Sequence, residues 1–198
     1  MSERFATGEP RTRDEIAVEL ARFHDEAERF VAELPTADFL AAQGDRWSPA
    51  DHLRHLAKST FPVARALGLP RIALLVLFGP ARRPPRPFVE IREKYRARLA
   101  DGVTAGRFAP EPRAVAADDE AWRERVMDRW READRSLRQR IGRWREPALD
   151  RCRLPHPALG KLSVREMLFF TLYHGAHHLN LVARRRSQRG AAGSDGDR

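Results

Sequence analysis

Apolar residues recur every three or four positions over four long stretches of this chain, the period of a helix with one buried face. The first stretch runs from about Arg11 to Leu34, where Ile16, Leu20, Phe23, Ala27, Phe30 and Val31 share a side. The second opens at Trp47-Ser48-Pro49-Ala50-Asp51 and reaches about Gly68. Ser48 suits the N-cap, Pro49 the first helical position, and Asp51 completes a capping-box pattern at the positive end of the dipole. Pro62 is expected to kink this helix. The third spans about Asp118 to Trp144, capped by Asp118 or Asp119, with Trp122, Val126, Trp130, Leu137 and Ile141 as its stripe. The fourth begins near Ser163, with Glu166 as its capping-box partner, and extends to about Arg186.

Between the second and third stretches, Pro80, Pro84, Pro85 and Pro87 exclude a long helix. The region from Gly79 to Ala117 therefore reads as loop, with short helices expected over Arg71 to Phe78 and Val89 to Leu99. No β pattern and no internal repeat is evident. The pattern predicts an all-α fold: a four-helix bundle with long connections and short extra helices in the middle loop. Residues 1–186 would form one domain, and the Gly-, Ser-, Arg- and Asp-rich tail 187–198 is expected to be disordered.

Composition supports a globular chain, with 42% hydrophobic and 33% charged residues. The longest apolar run, Ile72 to Phe78, is too short to span a bilayer, and no signal-peptide pattern opens the chain. The expectation is a cytoplasmic protein without a membrane partner. Cys152 is the single cysteine, which excludes an intrachain disulfide and Cys-rich zinc motifs. The net charge of +9 raises nucleic-acid binding. Nearly all of it is arginine, dispersed among Asp and Glu, so no specific nucleic-acid partner is expected.

The chemistry concentrates in histidine. Three of seven histidines lie within five residues, at His174, His177 and His178, and two more at His52 and His55. Residues four apart share a helix face, so His174 and His178 can aim two imidazoles at one point. A helical wheel turns His178 to the core and His174 to its flank, and leaves His177 pointing away. A lone pair of this kind also fits hydrogen-bonded boundary histidines. Gly175 follows His174 where a zincin would carry glutamate, so no protease is indicated. On the second helix the wheel favours His52. The small-residue row His55, Ser59, Pro62, Ala66 would turn His55 inward instead, and periodicity leaves the choice open.

Trp47 to Leu56, followed by His156-Pro157-Ala158-Leu159-Gly160-Lys161-Leu162-Ser163-Val164-Arg165-Glu166 and the histidine run, resembles the DinB-like family of bacterial metal-binding helical bundles. The Phe108-Ala109-Pro110 loop is similar to connections seen there. The likeness covers most of the chain. It implies a divalent metal held by one second-helix histidine, eight residues after the Trp of the Trp-Ser motif, and by an HxxxH pair. Those positions are His55, His174 and His178, with zinc or nickel the first expectation and iron or manganese next. It also implies a thiol-dependent transferase or a hydrolase acting on a small molecule, with a low-molecular-weight thiol as co-substrate. The alternative is a non-catalytic metal- or ligand-binding bundle, dimeric and stress-associated. A homodimer remains an expectation under either reading.

Other reactive groups have plainer readings. Asp51 and Glu166 fit caps better than general bases. Cys152 fits a structural thiol, and Trp122, Trp130 and Trp144 fit core or interface positions. Arg184 to Arg186 suits a solvated helix end.

Overall fold

The computed structural model describes residues 3–42, 44, 46–112 and 118–194. Four long helices carry the fold: α1 (Arg13–Ala32), α3 (Pro49–Leu67), α6 (Asp119–Ile141) and α8 (Val164–Ser194). Between them lie α2 (Thr36–Leu40), α4 (Arg71–Phe78), α5 (Phe88–Ala100) and α7 (Glu146–Arg151), with a 3-10 turn at Gly106–Phe108. Helix α3 packs on α6 and α8, α1 packs on α6 and α8, and α5 lies against α8. The chain is thus mostly helical, and one hydrophobic cluster runs through all the long helices.

The expected helix starts are present. Ser48 Oγ accepts from Asp51 N at 3.1 Å while Asp51 Oδ2 accepts from Ser48 N at 3.2 Å, a reciprocal capping box with Pro49 at the first helical position. Asp118 Oδ1 accepts from Glu120 N and Ala121 N at the start of α6. Helix α3 continues through Pro62 to Leu67. The last carbonyls of α3 include Leu67 O, which accepts from Trp144 Nε1 at 3.0 Å. Trp130 and Trp144 are buried and Trp122 partly so, as core residues.

Two features depart from the sequence expectation. An antiparallel hairpin precedes α8: β1 (Arg153–His156) pairs with β2 (Gly160–Ser163), Leu154 opposite Leu162. Its turn depends on Gly160 at φ +75° and on His156 Nδ1, which accepts from Ala158 N and Leu159 N. Helix α8 runs past Arg186 to Ser194, through part of the tail expected to be disordered, while residues 195–198 lie outside the described residues. Arg184 to Arg186 is therefore mid-helix, and Arg186 pairs with Glu33 at 3.1 Å. The stretch 113–117 of the middle loop also lies outside the described residues.

Helix α8 is buried almost all round from Val164 to Asn180. A helix apolar on every side belongs at the centre of a fold. Helix α1 covers one side, where the Phe23 ring rests on Gly175; a Cβ there would stand 2.7 Å from Phe23 Cε1. Phe5 straps the N-terminal segment across α8, its N–H donating to Asn180 Oδ1 at 2.9 Å and its carbonyl accepting from Asn180 Nδ2 at 3.0 Å. No described helix is long and apolar enough by itself to cross a membrane.

Candidate metal centre

Helices α3 and α8 face each other with histidines at the same level. His52 and His55 on α3, and His174 and His178 on α8, are all buried. The open choice between His52 and His55 thus has a simple answer: α3 is covered on two sides and turns both rings inward. The three nitrogens of His55, His174 and His178 lie within 4.8 Å of one another. His55 Nε2 stands 3.0 Å from His174 Nε2, and His178 Nε2 stands 3.1 Å from the same atom.

The outer nitrogens set the proton positions. His55 Nδ1 donates to Phe108 O at 2.9 Å, and since a carbonyl only accepts, His55 Nε2 is left bare toward the cluster. His178 Nδ1 faces His52 Nδ1 at 2.8 Å, so one of the two carries the shared proton. With the proton on His178 Nδ1, His52 accepts and His178 Nε2 is also bare. That arrangement is the outer-shell hydrogen bond by which a ligating imidazole is oriented. Arg185 Nη1 donates to Trp47 O at 2.8 Å, holding Trp47 against the site. The indole lies nearly parallel to His178 at 6.0 Å and tilted against His55 at 5.0 Å.

Burial lowers the basicity of the whole cluster. His52 is held down to about 3 by desolvation, with Arg185 and neighbouring imidazoles adding to the effect. His174 and His178 are pushed well below the ordinary histidine value by burial first, and then by neighbouring imidazoles, led by His55 for His174 and by His174 for His178. His55 is lowered by burial too, against the opposing bond to Phe108. All four rings are therefore neutral at pH 7. Neutral imidazole is the form that binds zinc, nickel, copper or iron. Tetrahedral ligands about 2.1 Å from a zinc ion stand about 3.4 Å apart, close to the 3.0 and 3.1 Å that separate His174 Nε2 from the other two nitrogens. The donor set could hold a divalent metal.

The cluster opens into a cavity of about 900 Å³. Its walls include the row His55, Ser59, Pro62 and Ala66 of α3, and Tyr95 of α5. Tyr95 touches His174 edge-on at 5.8 Å, and burial pushes its hydroxyl up to about 12. His177 lines the cavity but stands outside the three-nitrogen set. The candidate bases are engaged elsewhere. Burial would raise Glu166, but Arg86, Arg83 and the N–H groups of Arg86 and Ser163 hold it at about 2. Asp51 caps α3 and pairs with Arg54 at 3.1 Å. Cys152 is buried, which raises its thiol, and does not line the cavity.

The model of the DinB superfamily matches residues 19–182. The chain belongs to the DinB superfamily. Its match spans α3, α5, α6 and most of α8, and so includes every histidine of the centre. Searches of curated proteins and of solved structures return no match. The DinB assignment and the buried three-histidine cluster together fit a metal-binding protein.

Trp47, Tyr95, Arg185 and the outer-shell role of His52 escaped sequence reasoning as site residues. Only Trp47 carried a signal, as the first residue of the helix-start motif.

Proposed function

We propose that a four-helix bundle of α1, α3, α6 and α8 frames a divalent-metal centre ligated by His55, His174 and His178, with zinc or nickel the preferred ion. The protein would act as a thiol-dependent transferase or a hydrolase on a small molecule in the adjoining cavity. One observation carries the reading: three buried, neutral, convergent Nε2 atoms face a roomy cavity, with no carboxylate among its described lining residues. When bound, a divalent ion draws the pKa of a thiol or water in its open position toward neutrality.

The chain's own groups orient and enclose. Phe108 O and His52 fix the outer nitrogens of His55 and His178, so both rings keep their directions as a ligand enters. Trp47 and Tyr95 exclude water from two sides of the cluster. The attacking group would come from outside the chain, because Cys152 is buried away from the cavity and Ser59, the serine among the described lining residues, donates to Leu56 O rather than to a base. That favours a soluble thiol or water as nucleophile.

The test is metal analysis of untagged protein, followed by an electrophile screen with and without small thiols. Near-stoichiometric metal and thiol-stimulated, metal-dependent turnover are expected. Metal without turnover under any condition would leave a binding protein and overturn the enzymatic reading.

A further inference from the structure

The cavity is a trough rather than a cup. His55, Ser59, Pro62 and Ala66 are spaced at helical intervals along α3, and all line it, as does Leu69 just past the helix end. At 1.5 Å per residue, His55 and Arg65 are about 15 Å apart along the axis. Much of the remaining lining is apolar, including Phe78, Leu154, Met167 and Phe170. The charged lining is of one sign, for Arg65, Arg107, Arg140 and Arg185 contribute and no described carboxylate does. Two of these arginines are already engaged: Arg185 holds Trp47 O, and Arg107 stacks on the Phe108 ring at 5.1 Å.

The other two sit at the far end. Arg65 is exposed and has no ion pair among the described residues. Arg140 reaches from α6 across the end of α3, where its Nε would stand 2.7 Å from a Cβ on Gly68. A side chain at Gly68 would push the guanidinium away from that backbone. Arg140 is steadied by Ser136, through both its carbonyl and its hydroxyl, and has no acidic partner among the described residues.

The geometry points to an elongated, apolar anion as the substrate class, with its acid group at Arg65 and Arg140 and its opposite end at the three histidines. The far-end assignment of the acid stands on the arginines alone; the placing of the reactive end rests on the metal-centre reading. A guanidinium fork gives charge-assisted bonds that a neutral head cannot replace.

The test is calorimetric titration of the full-length, metal-free protein with alkane-1-sulfonates, which are poor metal ligands, against octan-1-ol and octyltrimethylammonium. Octane-1-sulfonate is expected to bind at least about tenfold more tightly than the alcohol, with the ammonium weakest. Affinity should rise about fourfold per methylene from butane- to octane-1-sulfonate as the trough fills. R65Q, at an exposed position, should weaken the sulfonate about tenfold and leave the alcohol and the metal content unchanged. R140K, which keeps the charge but not the fork, should weaken it as well. Equal binding of alcohol and sulfonate, or sulfonate affinity unchanged in R65Q, overturns the proposal. Failure of wild-type protein to bind metal would sink the metal centre alone, since the titration is done without metal.

Discussion

Two sets of buried histidine share the same helical spacing and opposite chemistry. In α1, His24 has Glu28 four residues on; in α8, His174 has His178 four residues on. His24 stacks on Trp130 at 4.1 Å, with Glu28 3.8 Å from Nδ1 and Asp134 3.8 Å from Nε2. Asp134 is in turn held by Arg138 at 2.6 Å. Burial lowers His24, but carboxylates on both ring edges pull the other way. The α3–α8 cluster has no such counterweight, and its neighbours are other imidazoles and Arg185. A histidine between carboxylates is set to share a proton, whereas histidines facing histidines are set to share lone pairs with a cation.

Removing a ligand should break this contrast most severely. His174→Ala, which deletes the nitrogen common to both close contacts, should lower zinc affinity by well over about 100-fold, beyond the usual loss for an outer-shell partner. His24→Ala should leave metal content unchanged. Competition titration against a zinc chelator reads both, and equal losses would erase the distinction between the two sets.

Acid should act next. His52, held at about 3, and His156, held at about 4 by burial, both fall below the ordinary 6.5. The unfolded chain takes up their protons first, so stability is full above pH 6.5 and is lost as pH falls toward 4 and below. Each should cost about 2 kcal/mol at pH 5. Denaturant unfolding of metal-free protein at pH 7 and pH 5 should show this loss. A flat profile would mean that the rings are not desolvated.

Outer-shell support is a smaller effect. His52→Ala should weaken zinc by about 10- to 100-fold while leaving the stoichiometry intact. Unchanged affinity would show that His178 needs no acceptor on Nδ1. Gly175→Ala is smaller again for the centre: crowding Phe23 should cost about 1–3 kcal/mol of stability without changing metal affinity, measured by thermal melts with and without zinc.

How much of this was legible depended on the range of the interaction. The Ser48–Asp51 cap and the Ser163–Glu166 pair are local, and both form as the residue pattern predicts. Glu166 also clamps Arg83 and Arg86, some 80 residues upstream, and nothing in its local pattern announces that. The wheel misjudged His55 because it assumes one buried face, while α3 is covered on two sides and α8 nearly all round. The hairpin went unread because each strand has only four residues and β1 contains Pro155. The resemblance to a metal-binding family, rather than periodicity, singled out His55. The structure then brought it to 3.0 Å from His174.

The most direct measurement is X-ray absorption at the zinc edge on zinc-loaded wild type and His174→Ala. The account predicts imidazole nitrogens at about 2.0–2.1 Å in the wild type, with the imidazole signature diminished or lost in the variant. A shell of oxygens alone, or identical spectra from both proteins, would contradict it.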